Sequence, residues 1–349
     1  YTTGVANPYL LLEPSRTNVM ANSEYFGGYN IAQMSLEYNY AVSPEGVQNA
    51  TRLIENTAAG TAHSVSIATA TNGTEYALSV YAKPNGRDFI YMYVGGGPGT
   101  GTIINIVNGI KGNNIGNAPN DTIIEPVGNG WFRCTILFNS IAGSPTPTIG
   151  LANSLTSFTY TGDGTSGVLI YGIQLEAGSY PTSYIPTYSV SATRAQGVCN
   201  KADASGEINS TEGVFYLEIS ALADSGTNRF IIINDSTTSN RLSFRYRTNS
   251  NLLSFEVHIG GVLKLTLNYT LVDTTITQKL AFKFKQNDYA LWVNGVERGI
   301  SQLSEIWSAN TLNSIDFTGF NQPFEGKVNA LQLYKEALTD AELATLTTI

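Results

Sequence analysis

The stretch Phe89-Ile90-Tyr91-Met92-Tyr93-Val94 decides the fold class, because its aliphatic and aromatic side chains alternate strictly. Successive side chains of a β-strand point to opposite faces, so Ile90, Met92 and Val94 share one face and the aromatic residues share the other. Such alternation is typical of an antiparallel sheet with one side in water. A parallel sheet, buried on both sides, would show a continuous aliphatic run instead.

Similar strand patterns recur along the chain at the short spacing of a sandwich or barrel. Asn294-Gly295 predicts a two-residue hairpin turn, since a type I′ turn needs positive φ at both positions. Thr339-Asp340-Ala341-Glu342 is a capping box and predicts a short terminal helix. Residues 94–121, rich in Gly and Asn, predict long loops with one strand at 103–107. The other predicted strands cover residues 76–82, 89–94, 131–138, 168–175, 214–220, 229–234, 242–247, 253–259, 262–267, 279–284 and 289–293.

The composition also favours an all-β chain. Only 13 % of the 349 residues are charged, while Gly (34) and Tyr (20) are abundant. Solvated helix faces are normally built from Glu, Lys and Arg, so a helical protein is disfavoured. The net charge of −8 offers no basic face for phosphates and argues against a nucleic-acid partner. No apolar run is long enough to insert into a membrane.

The apolar periodicity lapses over residues 188–205, which predicts a domain boundary. The fold class expected is all-β, with two antiparallel β-sandwich (jelly-roll) domains in tandem, covering residues 1–195 and 196–349. The two cysteines, Cys134 and Cys199, are too few for a disulfide framework and are expected to be free thiols. The chain opens at Tyr1, which indicates a processed product or a fragment of a longer protein.

The first half resembles a module common in bacteriophage tail-fibre and other virion surface proteins. The resemblance covers most of residues 10–195 and implies a jelly-roll sandwich similar to carbohydrate-binding modules. It begins at Leu10-Leu11-Leu12-Glu13-Pro14-Ser15-Arg16-Thr17-Asn18 and is most specific at Gly172-Ile173-Gln174-Leu175-Glu176-Ala177-Gly178-Ser179-Tyr180-Pro181-Thr182-Ser183-Tyr184-Ile185-Pro186-Thr187. It also includes Val42-Ser43-Pro44-Glu45-Gly46, Tyr76-Ala77-Leu78-Ser79-Val80-Tyr81-Ala82-Lys83, Gly130-Trp131-Phe132-Arg133-Cys134 and Thr193-Arg194.

The second half resembles the laminin-G-like, concanavalin A-like sandwich. This resemblance rests on the order and spacing of several pieces, since each piece is only moderately specific. The pieces are Leu280-Ala281-Phe282-Lys283-Phe284, Tyr289-Ala290-Leu291-Trp292-Val293-Asn294-Gly295, Phe324-Glu325-Gly326-Lys327-Val328 and Tyr334-Lys335-Glu336-Ala337-Leu338-Thr339-Asp340-Ala341-Glu342-Leu343. Such modules occur in viral fibres, adhesins and secreted glycoside hydrolases, so the fold alone does not name a function.

No motif indicates catalysis. The two histidines, His63 and His258, lie in strand-like segments without a triad motif, and each is expected to be an ordinary surface histidine. Zinc motifs and EF-hand spacing are missing, so no metal or other cofactor is expected. Asp163, in Thr161-Gly162-Asp163-Gly164, could bind structural calcium, but a Gly-Asp-Gly turn is the favoured interpretation. A pair of glycosidase carboxylates among the 27 acidic residues stays open, although no motif points to one.

Three places have the side chains that glycan binding requires, namely aromatic rings for sugar C–H faces and polar groups for hydroxyls. The first is Tyr91 and Tyr93, with Phe89. The second is Arg245 and Arg247 with Glu256, His258 and Lys264 on neighbouring strands, and the third is Trp307 in a polar loop. At each place the alternative is structural, because strand aromatics are usually core or subunit contacts and charged faces are usually just solvated. Trp131 and Trp292 are expected in the core.

These inferences lead to a non-catalytic virion surface protein, such as a tail fibre, head fibre or decoration protein, that attaches to host-surface glycans. Its expected partners are a host polysaccharide or glycan and other virion proteins. The resemblance to viral fibres further implies a homotrimer at the extracellular virion surface. The alternative is the carbohydrate-binding accessory region of a secreted glycoside hydrolase, or a bacterial cell-surface adhesin.

Overall fold

The computed structural model describes residues 9–69, 75–96, 99–139, 145–200, 202–224, 226–248 and 251–349. By contacts, the chain divides into two compact units. The first unit runs from Ser15 to Ala195, and the second combines Gln196–Ile349 with the segment that ends at Pro14.

Strands β1 to β15 account for most of the described residues up to Ala195. In chain order they are β1 (Leu10–Leu12), β2 (Arg16–Asn18), β3 (Asn30–Ala32), β4 (Met34–Val42), β5 (Gln48–Glu55), β6 (His63–Ser66), β7 (Glu75–Asn85), β8 (Phe89–Gly95), β9 (Thr100–Asn105), β10 (Ile110–Gly116), β11 (Asp121–Gly128), β12 (Trp131–Asn139), β13 (Thr146–Ala152), β14 (Gly167–Ala177) and β15 (Ala192–Arg194).

Strands β16 to β26 and the helical segments follow. They are β16 (Ala202–Asp203), β17 (Glu212–Ala221), β18 (Arg229–Asn234), β19 (Arg241–Tyr246), β20 (Leu252–Ile259), β21 (Val262–Thr270), β22 (Gln278–Lys285), β23 (Tyr289–Val293), β24 (Val296–Ser301), β25 (Ser314–Asp316), a 3₁₀ turn (Gly319–Asn321), β26 (Gly326–Tyr334) and α1 (Asp340–Thr347).

The first unit is a β-sandwich of two six-stranded sheets within the described residues. Sheet A has the order β10-β9-β8-β13-β6-β3, and sheet B has the order β11-β12-β7-β14-β5-β4. Adjacent strands are antiparallel throughout both sheets. Alternate aliphatic residues from the two inner faces, such as Ile90, Met92, Val80 and Ile170, form the core between the sheets.

The second unit is also an antiparallel β-sandwich. Sheet C has the order β1-β26-β17-β22-β23-β24, and sheet D has the order β16-β25-β18-β19-β20-β21. Their inner faces enclose a core rich in aromatic residues, including Phe255 and Phe282, whose rings stack 4.9 Å apart. Helix α1 lies against the outer face of sheet C through Leu343. The predicted all-β fold of antiparallel sandwiches is therefore confirmed.

Several local features agree with the sequence analysis and one does not. Asn294 and Gly295 both have positive φ, 51° and 80°, as a type I′ turn requires. The Thr339 capping box is present at the start of α1. The prediction for residues 94–121 is partly wrong: β9 overlaps the strand predicted at 103–107, but β10 lies where loops were predicted, and it pairs with β9 to extend sheet A. The Gly and Asn residues there lower strand propensity, but backbone pairing overrides it.

The two units also differ from the predicted division at the start of the chain. The sequence analysis placed residues 1–195 together, whereas Leu10–Leu12 of β1 pairs with the first residues of β26 in the second unit. Trp131 and Trp292 are both buried, as expected, but they lie in small clusters on the outer faces of sheets B and C. Cys134 and Cys199 are both free thiols.

Candidate functional site

Strand β8 orients its side chains as predicted, but its outer face is covered. Ile90, Met92 and Val94 point into the core of the first unit. Tyr91 lies on the opposite face, yet only 3 % of it is exposed, because it packs on Ile103 and beneath Phe158, whose ring centroid is 5.0 Å away. Burial raises the pKa of the Tyr91 phenol. The expected exposure of Tyr91 is therefore wrong.

Tyr93 does not complete an open platform beside Tyr91. Its side chain is half-buried and belongs to the same small cluster as Phe89, which is also half-buried. The Tyr93 ring lies directly against Gly99, where any larger side chain would collide with it. The two tyrosines thus help to pack the outer face of sheet A, and the structure does not bring them together as a stacking surface.

Replacing Tyr91 with alanine is expected to destabilise the first unit by about 3 kcal/mol, as loss of a buried aromatic side chain usually does. The melting temperature of the full chain measures the effect. Tyr188→Ala is the matched control. Because Tyr188 is exposed, its replacement should change the free energy of unfolding by less than about 0.5 kcal/mol. Equal melting temperatures for the two variants would contradict the packing role of Tyr91.

Trp307 lies in the core of the second unit, contrary to the prediction of a polar, accessible loop. Its indole Nε1 donates a hydrogen bond of 2.8 Å to the main-chain oxygen of His258, and its ring packs edge-on against Phe284. The residues around it are polar, but the large apolar ring is buried and its single donor is satisfied. Trp307 offers no surface for a sugar to stack on.

The charged residues predicted on β19 and β20 do lie together on the outer face of sheet D. Leu242, Phe244, Phe255 and Val257 point into the core, so the residues between them point outward. Glu256 forms ion pairs with Arg245 (3.5 Å) and Arg247 (3.3 Å). Lys264 instead pairs with Glu305 at 2.8 Å and does not join this group.

His258 is on the same outer face, but only 8 % of it is exposed, so its predicted exposure is wrong. It pairs across the strands with Arg241. Burial, with a smaller contribution from the nearby Arg241 charge, lowers the pKa of His258 to about 4. The imidazole is therefore neutral at pH 7, and its Nδ1 has no hydrogen-bond partner. The guanidinium groups are the cations of this face.

A pocket that sequence reasoning missed opens next to Arg241, with a cavity volume of about 140 Å³. Strand β18 supplies Ile232 and Asn234, and the turn that follows supplies Ser236, Thr237 and Thr238. The pocket is completed by Asp316 at the end of β25 and by the 3₁₀ turn. Gly319 of that turn lies so close to Ile232 that a side chain would clash, which lets the turn approach the sheet.

Phe320 forms the aromatic wall of the pocket. It is 42 % exposed and has φ 57°, a left-handed conformation that bulky residues rarely adopt. The Arg241 guanidinium lies 4.8 Å from the centre of its ring, and Phe230 packs against it edge-on at 5.3 Å. Backbone strain of this kind persists where the surroundings impose it, and it is common at ligand sites.

Hydrogen bonds within the loops fix the polar walls of the pocket. Arg241 Nη1 donates to the main-chain oxygen of Thr238. Asp316 Oδ1 accepts hydrogen bonds of 2.7 Å from the main-chain NH and the hydroxyl of Thr318, and Asn234 Oδ1 accepts one from the NH of Ser236. Buried polar atoms without a protein partner on this face include Arg241 Nε, Arg245 Nε, Ser243 Oγ, His258 Nδ1 and Ser314 Oγ.

The structure contains no ready metal site within the described residues. No three His, Cys, Asp or Glu side chains there are grouped so that they could hold an ion. The Asp163 carboxylate accepts hydrogen bonds from Thr165 and Ser166, which hold the pKa of Asp163 well below its usual range and close the turn. Across the described residues, no helix has the length and hydropathy to span a bilayer.

A scan of known protein families and a search of curated proteins each give no match. Solved structures with similar folds include a carbohydrate-binding module, CBM40, of the Ruminococcus gnavus IT-sialidase, with 15 % identity and a TM-score of 0.34 over 44 % of this chain and 94 % of that one. Domains LG4-5 of the mouse laminin α1 chain have 9 % identity and a TM-score of 0.29 over 91 % of this chain and 94 % of that chain.

A heptameric SAP-like pentraxin from Limulus polyphemus is also similar, with 12 % identity and a TM-score of 0.33 over 42 % of this chain and 72 % of that chain. At these identities and TM-scores the likeness concerns architecture, and no residue role is carried over from these proteins. The chain is therefore similar in fold to carbohydrate-binding-module, laminin-G and pentraxin sandwiches.

Proposed function

We propose that this chain is a non-catalytic virion surface protein that binds a host-surface glycan in the pocket between Arg241 and Phe320. The observation that carries the proposal is the combination of an exposed aromatic ring with a guanidinium, an amide and a carboxylate around one small cavity. A sugar needs both kinds of group, because its C–H face packs on an aromatic ring while its hydroxyls exchange hydrogen bonds with polar side chains.

The geometry supports a single sugar unit as the bound element. A cavity of about 140 Å³ is too small for a long segment of an oligosaccharide. It is nevertheless several times larger than the ~30 Å³ that one molecule occupies in liquid water. The sugar ring would pack on Phe320, with its hydroxyls directed at Asn234 and Asp316. Among the lining residues, the Arg241 guanidinium has an Nη2 group that donates to no described residue and is free to bind a sugar oxygen.

The proposal assigns no catalysis to the pocket. Glycoside hydrolysis generally uses two carboxyl groups, roughly 5 to 9.5 Å apart, on either side of the scissile bond. Among the described lining residues Asp316 is the single carboxylate. The virion assignment rests on the sequence resemblance of residues 10–195. With this assignment we also propose that the protein is a homotrimer on the extracellular virion surface and contacts other virion proteins. The proposal includes no nucleic-acid partner and no cofactor.

Binding of the full chain to a glycan array tests the proposal. Phe320→Ala is expected to weaken binding of the recognised glycan roughly 10-fold, since an aromatic contact contributes about 0.5–1.5 kcal/mol beyond its buried area. Tyr25→Ala is the matched control, because Tyr25 is an exposed aromatic residue of the other unit. Failure to bind any glycan, or equal binding by Phe320→Ala and the control, would remove this pocket as a glycan site.

A further inference from the structure

Arg241 differs from the other arginines of this sheet face in having no ion pair within 4 Å, and Glu256 attracts it only at longer range. Arg245 and Arg247 both pair with Glu256. Arg241 makes one hydrogen bond, to the main-chain oxygen of Thr238, and no carboxylate oxygen of the described residues lies within 4 Å of its guanidinium. Its Nε is buried without a partner, and its Nη2 donates to no described residue.

The free Nη2 donor of Arg241 has a specific chemical preference. A guanidinium N–H forms charge-assisted hydrogen bonds with carboxylate oxygens, and these are stronger than its hydrogen bonds to neutral acceptors. The guanidinium plane of Arg241 is already held by the Phe320 ring and by Thr238. Less side-chain entropy is therefore lost when a ligand binds to it.

The charges around the pocket are compatible with an acidic ligand. Glu256 is bound by two arginines, and Asp235 accepts hydrogen bonds from Thr237 and Asn240 in its own turn. Asp316 also lines the cavity. Its Oδ1 accepts the hydrogen bonds from Thr318, whereas its Oδ2 accepts none from a described residue. That oxygen would accept a sugar hydroxyl, while Arg241 takes the negative group at the other side.

We infer that the sugar bound in this pocket carries a carboxylate group, held by Arg241, with its ring against Phe320 and a hydroxyl on Asp316. This inference rests on the proposed function and names its ligand class. A neutral sugar would cover the Arg241 Nη2 donor without offering it a charged acceptor, and that costs affinity.

The experiment measures binding of the full chain to an array of paired neutral and carboxylated glycans. The tightest carboxylated glycan is then titrated as its acid and as its methyl ester. We expect the ester to bind roughly 10- to 100-fold more weakly, because it loses charge-assisted hydrogen bonds. Arg241→Gln should weaken binding of the acid by a similar factor, so that acid and ester then bind with similar affinity, while Arg241→Lys should be intermediate.

Arg298→Gln is the matched control, since it removes an equal charge from β24 in the opposite sheet, and it should leave both affinities unchanged. Thermal unfolding of each variant checks that the fold is retained. Equal binding of acid and ester, or preference for neutral glycans, would overturn the carboxylate inference and leave the proposed function standing. No binding to either class of glycan would overturn the proposed function itself.

Discussion

Asn18→Ala is expected to lower the free energy of unfolding of the first unit by about 4 kcal/mol, because four buried backbone groups lose their partner at once. Asn18 is fully buried at the end of β2. Its Nδ2 donates to the main-chain oxygens of Ile173 (3.2 Å) and Ile185 (2.9 Å). Its Oδ1 accepts from the main-chain NH groups of Met20 and Leu175, each at 3.1 Å.

Chemical denaturation of the full chain measures this effect from the unfolding transition of the first unit. Asn120→Ala is the matched control, because the exposed Asn120 side chain makes a single hydrogen bond, to Asn139, and its loss should change stability by less than about 0.5 kcal/mol. Asn18→Asp places a buried carboxylate oxygen against the two main-chain oxygens, so its cost should be at least as large as that of Asn18→Ala. If Asn18→Ala were as stable as the control variant, the hydrogen bonds from Asn18 to the segment 173–185 would not stabilise the fold.

The contacts of Asn18 explain why two distant sequence motifs occur together. Gln174 belongs to the most specific motif. Its Nε2 donates a hydrogen bond of 2.7 Å to the buried Glu176, and its Oε1 accepts one from the main-chain NH of Ile185. Glu176 also accepts from the NH and hydroxyl of Thr182. These side chains hold the loop after β14 against the sheet. The motif that carries the resemblance is thus accounted for by folding, and it needs no ligand.

Glu55→Ala is expected to destabilise the first unit by about 3–5 kcal/mol, since it removes a buried carboxylate that accepts four hydrogen bonds and leaves their donors without this partner. Glu55 is buried at the end of β5 and accepts hydrogen bonds from Arg87 Nη2 (2.5 Å) and Nε (2.8 Å). Tyr160 Oη and the main-chain NH of Asp163 also donate to it, at 2.6 and 2.7 Å. Glu37→Ala is the matched control, because its pair with Arg52 is exposed and worth at most about 1 kcal/mol.

The same carboxylate gives the first unit a defined acid sensitivity. Burial alone would raise the pKa of Glu55, but the hydrogen bonds from Arg87 and Tyr160 outweigh it and lower the pKa below 4.5. The unfolded chain then binds this proton more readily than the folded chain, so the stabilisation is complete above the unfolded pKa and is lost as pH falls through the folded one. The free energy of unfolding should therefore change less between pH 6 and pH 3 in Glu55→Gln than in the unmodified chain. An equal change in both proteins would show that Glu55 is not the source of this acid sensitivity.

Much of the fold follows from local patterns, as β8 and the hairpin at Asn294-Gly295 illustrate. The period of two placed Ile90 and Met92 in the core correctly, because strand geometry fixes which side chains share a face. It could not tell whether the opposite face is open. Phe158, far along the chain from Tyr91, covers that face. Likewise, His258 was placed on the correct side of sheet D, but its burial depends on neighbouring side chains that local sequence does not specify.

The sequence by itself determined the all-β class, most strands, the type I′ turn and the capped terminal helix, since each depends on side chains close together in the chain. Only the tertiary structure decided the pairing of β1 with β26, the burial of Trp307 and the candidate pocket. Arg241 and Phe320 are far apart in sequence and meet because sheet D places β18 between β19 and β25. A site assembled from separate loops has no local periodicity or motif, so its geometry exists only once the sheet has formed.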